Sequence, residues 1–203
     1  MDTDKKRSML TDEEVKILLE PEGSQENTDK IKILIVEDDH STQSLYDKGI
    51  FDQIFDKKMV VSGKDAIFVY DEWRPDIIVL DIYLPEMTGF QVLKEIRTTF
   101  KDRKTTIVMA TALSGSEDVR SCINLGIEGY IIKPFPFREI GAKILGYYAK
   151  KEPERARKAD ALYREILKQS RIRWLLDQDK SKKKEDAEVV NDHTSNPETG
   201  EAG

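Results

Sequence analysis

Cysteine and histidine are scarce in this 203-residue chain, which contains only Cys122, His40 and His193. A single cysteine cannot form an internal disulfide, and such usage is typical of a reducing compartment. Neither histidine has a second histidine or a cysteine at the spacing of metal ligands, which argues against a zinc site. Carboxylates, hydroxyls and amines therefore remain to carry any chemistry.

Long apolar runs are also missing. No run approaches the roughly 18 residues of a transmembrane helix, and the N-terminal sequence MDTDKKR has no apolar signal core. We expect a cytoplasmic protein that does not insert into a membrane. The formal net charge of −6 gives no global attraction to nucleic acid or to an anionic membrane. Apolar residues nonetheless make up 38% of the chain, which is enough for a folded core.

Charge and patterning predict four segments. Residues 1–30 hold nine acidic and five basic side chains and are predicted to form a largely flexible acidic arm, with a short helix after Thr11. Residues 31–150 carry the folded core. Residues 151–184 are predicted to form a basic helical extension, and the polar residues 185–203 a disordered tail.

The core segment alternates between strand-length apolar runs and stretches of helical periodicity. The first helix is predicted to present one apolar face from Leu45 to Phe55. Strict alternation implies an α/β fold with a parallel sheet covered by helices on both faces. The five predicted strands are Ile33–Val36, Met59–Val61, Ile77–Leu80, Thr106–Met109 and Tyr130–Ile132.

Charged and hydroxyl residues stand close to the ends of four of these runs. They are Glu37, Asp81, Thr111 and Lys133, with Asp38 directly after Glu37. Ligands of parallel sheets bind outside the carboxyl ends of the strands. Mg²⁺ takes oxygen ligands, usually carboxylates, phosphate and water, and clustered carboxylates repel one another without a cation. A phosphorylated Asp81 would need the ammonium of Lys133 and the hydroxyl of Thr111 for its new oxygens.

The local motifs resemble the receiver domain of two-component response regulators. The successive gaps are 43 residues from Asp38 to Asp81, 30 from Asp81 to Thr111 and 22 from Thr111 to Lys133, which matches the layout of that family. The resemblance covers residues 31–150 and implies a flavodoxin-like (βα)5 sheet of order 2-1-3-4-5. It rests on the motifs ILIVEDD from Ile33, VLDIYLPEMTG from Val79, ATA from Ala110 and GYIIKPF from Gly129.

The resemblance implies a role for each residue at the acidic end of the site. Asp81 would accept a phosphoryl group from the histidine of a sensor kinase or a phosphotransfer protein. Asp38, Asp81 and the backbone carbonyl of Tyr83 would ligate Mg²⁺ directly, and Glu37 would act mostly through metal-bound water. We expect no enzymatic activity beyond self-phosphorylation and dephosphorylation at Asp81.

The resemblance also implies a switch. Thr111 and Lys133 would bind the phosphoryl oxygens, and Pro134 would follow Lys133 in a cis peptide linkage. Tyr130 would turn inward as Thr111 shifts, which would remodel the face formed by the fourth helix, fifth strand and fifth helix. The bulky Tyr83 and the apolar Leu113 stand where the family controls access of hydrolytic water, so we predict slow dephosphorylation.

Structural alternatives exist for these residues. Asp81 taken alone could cap a loop, and Asp39 is well placed to cap the first helix. Lys133 could be a surface charge, and Tyr130 could be only a packed strand aromatic. The joint spacing favours the receiver interpretation.

Two other classes fit poorly. In a flavodoxin the first loop binds a phosphate, and the carboxylates of Glu37 and Asp38 at that place would repel it. A haloacid-dehalogenase-type phosphatase requires a second Asp two positions after the first, where this chain has Tyr83.

The output of the switch is less determined by the sequence. Residues 150–184 hold thirteen basic and six acidic side chains, and Pro153 opens a long predicted helix. That helix could mediate a homodimer, as could the face of the fourth helix, fifth strand and fifth helix, or it could fold back on its own domain. No second helix follows to complete a DNA-binding unit, so DNA is not the expected partner. We expect contacts with an unidentified downstream protein; the alternative is a transcription regulator with a reduced basic DNA-binding helix.

Overall fold

A five-stranded parallel sheet forms the centre of the molecule. The computed structural model describes residues 30–112 and 116–192, except for the side chains of 116–118, 176 and 179–192. The strand order is β2-β1-β3-β4-β5, which confirms the predicted 2-1-3-4-5 topology. The strands are β1 (Ile31–Val36), β2 (Phe55–Val60), β3 (Ile77–Leu80), β4 (Thr106–Thr111) and β5 (Gly129–Ile132).

Six helices accompany the strands in the described residues, and five of them follow a strand directly. They are α1 (His40–Gly49), α2 (Gly63–Trp73), α3 (Gly89–Thr98), α4 (Ser116–Leu125), α5 (Phe137–Tyr148) and α6 (Pro153–Asp192). Side-chain caps fix several starts. The Asp39 carboxylate accepts from the backbone N–H of Thr42 at 2.7 Å, as its position predicted. Thr88 and Gln91 form a reciprocal capping box at α3.

Burial follows the position of each strand in the sheet. All four residues of β3 and all six of β4 are buried, because both faces of these strands are covered. The edge strand β2 has the sequence FDKKMV and keeps its charged side chains at the surface or half-buried. The apolar cluster on one side of the sheet includes Leu34, Val36, Ile78, Leu80, Ile107, Met109 and residues of α2, α3 and α4.

The prediction that the first helix extends to Phe55 was wrong. α1 ends at Gly49, where an added Cβ would lie 2.1 Å from the carbonyl oxygen of Phe137, and Ile50 is already extended. Phe55 instead opens β2, four residues before the predicted start at Met59. The apolar residues after Gly49 are spaced as in a helix although they belong to a loop and a strand, and short runs cannot separate these cases.

The long helix α6 begins as part of the receiver. One compact unit of the chain runs to Arg164, and the residues beyond it belong to a second unit. Within the first unit, Ala156, Ala159 and Tyr163 are buried. In the second unit, α6 runs to Asp192 rather than ending at Lys184 as predicted.

Two sequence predictions fall largely outside the described part of the chain. The acidic arm lies there apart from Lys30, as do residues 193–203 of the predicted tail. Among the described residues, no helix combines the length and the apolar character required to cross a bilayer.

Candidate phosphoacceptor and metal site

Four strands of the sheet bring the predicted site residues to one edge. Glu37 and Asp38 directly follow β1, Asp81 follows β3, Thr111 ends β4 and Lys133 follows β5. Because these strands are parallel and adjacent in the order β1-β3-β4-β5, their carboxyl ends lie side by side. The structure therefore gathers residues that are separated by almost a hundred positions in the sequence.

Three carboxylates form a compact group at this edge. Glu37, Asp38 and Asp81 each place one oxygen within 4.8 Å of the others. Glu37 is 1% exposed and Asp81 is 8% exposed, whereas Asp38 is open to solvent. Three negative groups at this distance repel one another unless a cation or proton intervenes. Oxygen donors with one open side suit Mg²⁺, which keeps several of its waters when it binds protein.

Lys133 supplies the positive charge within the group. Its ammonium nitrogen forms ion pairs with Glu37 Oε2 and with Asp81 Oδ2. Burial lowers the pKa of Lys133, but its hydrogen bonds to Asp81 and Glu37 outweigh that effect and raise the pKa above its usual value. Burial raises the pKa of Glu37, and contact with Lys133 offsets only part of that increase. Lys133 therefore stays charged. Its ammonium is placed to pair with any further negative charge added at Asp81.

The backbone around Asp81 is held closely. The N–H of Tyr83 donates to Asp81 Oδ1 at 3.1 Å, and the N–H of Asp81 donates to the carbonyl of Val36 at 3.1 Å. An added Cβ on Gly89 would lie 1.9 Å from the carbonyl oxygen of Asp81. The first residue of α3 therefore has to be glycine for the loop to pass this close. The use of the Tyr83 carbonyl as a metal ligand stays a prediction.

Thr111 and Tyr130 lie on neighbouring strands beside the site. Thr111 is fully buried, and its carbonyl accepts from the N–H of Lys133 at 3.0 Å. Tyr130 is half-buried and packs against the apolar cluster, and its carbonyl accepts from the Tyr147 hydroxyl at 2.9 Å. The switching role of Thr111 and Tyr130 stays a prediction. The Lys133–Pro134 peptide bond is cis, as the resemblance implied.

Two residues of α1 near Glu37 were missed in the sequence, and one of them, Gln43, holds the Glu37 backbone. The side-chain amide of Gln43 donates to the carbonyl of Glu37 at 2.6 Å. Tyr46 is fully buried, and its ring centroid lies 4.9 Å from that of Phe135. Burial raises the pKa of Tyr46 well above its usual value, and the charges of Glu37 and Asp81 add to the increase. The signal in the sequence was the apolar periodicity of α1. The predicted apolar face began at Leu45, whereas the buried aromatic residue of this helix is Tyr46.

The fold is that of a receiver domain, and the comparisons with known proteins agree. The model of the response regulator receiver domain matches residues 33–145, which is more than half of the chain. The chain therefore belongs to the response regulator receiver family.

Sequence relatives include DNA-binding regulators. The chain is 32% identical over 130 residues to the DNA-binding response regulator MtrA of Mycobacterium tuberculosis, which covers 64% of this chain and 56% of MtrA. It is 31% identical over 115 residues to the probable transcriptional regulator ycf27 of Porphyridium aerugineum, covering 57% of this chain and 47% of that protein. The chain thus spans about half the length of the curated relatives it matches.

Solved receiver structures share the fold. The signal receiver domain of a LuxO repressor protein from Vibrio parahaemolyticus superimposes with a TM-score of 0.56 at 29% identity, covering 62% of this chain and 95% of that domain. The chemotaxis protein CheY4 of Vibrio cholerae superimposes with a TM-score of 0.51 at 26% identity, covering 55% and 93%.

Proposed function

We propose that this protein accepts a phosphoryl group on Asp81 from the phosphohistidine of a sensor kinase or a phosphotransfer protein. The observation that carries the proposal is that the Asp81 carboxylate lies within 4.8 Å of those of Glu37 and Asp38 and is paired with the ammonium of Lys133. Asp38, Asp81 and the carbonyl of Tyr83 would hold Mg²⁺, with Glu37 acting mostly through water.

In the transfer, a carboxylate oxygen of Asp81 attacks phosphorus and the bond from phosphorus to the histidine nitrogen breaks. The histidine leaves with the electron pair of that bond. Bound Mg²⁺ would neutralise charge on the transferring phosphoryl oxygens. Lys133 exchanges its ion pair with Asp81 for one with the phosphoryl group, and the hydroxyl of Thr111 donates to another phosphoryl oxygen.

The new charge then changes the surface of the receiver. Movement of Thr111 toward the phosphoryl group leaves space that Tyr130 enters, which alters the face of α4, β5 and α5. That face, or α6, binds a downstream protein or a second copy of the chain. We propose changed protein contacts as the output.

The test is phosphorylation by a small phosphodonor with Mg²⁺, followed by intact-mass spectrometry. We expect the wild-type chain to gain one phosphoryl group and the Asp81→Asn variant to gain none. Asp39→Asn is the matched control, because Asp39 is the neighbouring helix cap and asparagine caps equally well. Labelling of Asp81→Asn, or no labelling of the wild type, would overturn the proposal.

A second candidate function is transcription regulation, because matched relatives are named DNA-binding response regulators. Basic side chains on α6 would supply attraction to phosphates. Duplex binding by the full chain, measured at two salt concentrations with and without beryllofluoride, separates the candidates. Binding that strengthens on activation favours the second candidate, and unchanged weak binding favours protein contacts.

A further inference from the structure

The part of α6 beyond Arg164 carries a surface that is both apolar and basic. Leu167, Lys168, Arg171, Trp174 and Leu175 share one side of the helix, because they fall at positions i, i+1, i+4, i+7 and i+8. Trp174 is 58% exposed and Leu175 is 51% exposed, and Lys168 and Arg171 are exposed beside them. We call these five residues the distal face. Adjacent exposed apolar side chains of this size are candidates for an interaction surface.

The charge of the distal face selects its partner. Glu165 stands three residues before Lys168 and Asp177 three residues after Trp174, so they border the face on its two sides, and the five residues of the face itself include no acid. A second copy of this helix would bring the same positive charges into contact, and like charges across an interface cost affinity. The face therefore suits a partner that combines apolar and acidic side chains.

One segment of the same chain has that composition. Residues 11–22 contain five acidic side chains and one lysine, and residues 11–19 match the start of a capped helix. Val15, Leu18 and Leu19 fall at i, i+3 and i+4 and would form an apolar stripe. Asp12 and Glu14 would lie on the two sides of that stripe, and we call them its acidic flanks.

The arm leaves the receiver beside the start of α6. The carbonyl of Lys30, the first described residue, lies 3.5 Å from the guanidinium of Arg155 in the first turn of α6. Residues 20–29 then provide a polar linker that spans about 33 Å when extended. That is the length of about 22 helical residues. The linker is therefore long enough for the arm to follow α6 over several turns.

We propose that residues 11–19 dock on the distal face, with their apolar stripe against Trp174 and Leu175 and their acidic flanks beside Lys168 and Arg171. The short linker keeps the effective concentration of the arm high, so a modest contact suffices. The docked arm occupies the surface that any other acidic partner would need.

The test uses Trp174 as its own reporter in the full-length chain. The chain has two tryptophans, and Trp73→Phe leaves Trp174 as the single fluorophore. We expect Lys168→Glu/Arg171→Glu to shift the emission to longer wavelength and to raise acrylamide quenching several-fold. Adding Asp12→Lys/Glu14→Lys to that variant should restore the protection, because the charges are complementary again.

The matched control is Lys158→Glu/Arg173→Glu, which makes the same charge change at exposed positions off the distal face. We expect it to leave Trp174 quenching unchanged at every protein concentration, with a monomeric mass by light scattering. Equal quenching in all variants would overturn the proposal. Protection that is lost on dilution together with a dimeric mass, or that arises only when duplex DNA is added, would assign the face to those occupants instead.

Discussion

The hydroxyl of Tyr163, on α6, lies 3.1 Å from the carbonyl oxygen of Gly49, the last residue of α1. The same hydroxyl lies 3.1 Å from the carbonyl oxygen of Arg138 at the start of α5. Its hydrogen bond is therefore shared between the end of α1 and the start of α5. The Tyr163 ring stacks on Phe51 with a centroid distance of 4.9 Å. An added Cβ on Gly141 would lie 2.2 Å from this ring, so the Tyr163 ring packs directly against the backbone of α5.

Loss of the Tyr163 ring should therefore destabilise the receiver itself. We expect Tyr163→Phe to lower the free energy of unfolding by about 1 kcal/mol, because only the shared hydrogen bond is lost. Tyr163→Ala should cost about 3 to 5 kcal/mol, because it leaves a cavity against Phe51 and α5. Urea unfolding measures both. Trp174→Ala, on the exposed part of α6, is the control and should change stability little.

The predicted boundary at residue 150 explains why this contact was missed. In the first turns of α6, Leu162 is 38% exposed, whereas Ala156, Ala159 and Tyr163 make the buried face. A period of 3.6 residues identifies an amphipathic helix, but it does not say which of two stripes meets the domain. That choice depends on Gly141, whose missing side chain admits the Tyr163 ring, and on the Gly49 carbonyl that accepts from its hydroxyl.

The candidate site was predictable for a different reason. Each of its residues stands at the end of a strand, and parallel strands collect such ends at one edge whatever the details of packing. Arg97 shows the opposite case. It is one of the buried residues of α3, and its guanidinium donates to the carbonyls of Gly126, Asp102 and Thr105 at 2.9 to 3.0 Å. These carbonyls come from loops that sequence periodicity does not locate.

Gly89 should be sensitive to the smallest added side chain. An alanine Cβ there would meet the Asp81 carbonyl at 1.9 Å, so the loop that carries Asp81 must move. We expect Gly89→Ala to destabilise the fold and to slow phosphorylation of Asp81. Gly146→Ala is the matched control, because nothing lies within 4 Å of its added Cβ. Replacing glycine within α5 should instead add about 0.5 to 1 kcal/mol of stability. Equal phosphorylation rates in the two variants would contradict the close approach at Asp81.

Asp102 should contribute to acid sensitivity. Burial acts to raise its pKa, but hydrogen bonds from Thr105, Tyr70 and Lys104 outweigh burial and lower the pKa to about 2. The folded pKa lies below the ordinary value of 3.8, so this stabilisation is complete above that value and is lost as the pH falls toward 2.

We expect Asp102→Asn to flatten the pH dependence of unfolding in that window. The measurement is the urea midpoint at a series of pH values between about 5 and 2. Asp56→Asn removes an exposed carboxylate on the edge strand and serves as the control. If the slope for Asp102→Asn equals that of the wild type, the hydrogen bonds around Asp102 do not favour its charged form.

Tyr83 should govern how long a phosphoryl group remains on Asp81. Its backbone N–H holds Asp81 Oδ1, and its side chain, 51% exposed, follows Asp81 by two residues, at the position that the receiver resemblance links to water access. The bulk of the phenol ring would keep water from the phosphorus, whereas a smaller amide side chain would leave room for a water and orient it by a hydrogen bond. We expect slow decay in the wild type and decay several-fold faster in Tyr83→Asn, measured by loss of the phosphorylated mass after the phosphodonor is removed. Phe68→Asn replaces another exposed aromatic, 69% exposed on α2, and should leave the decay rate unchanged. Rapid decay in the wild type, or equal rates in all three proteins, would show that Tyr83 does not shield the site.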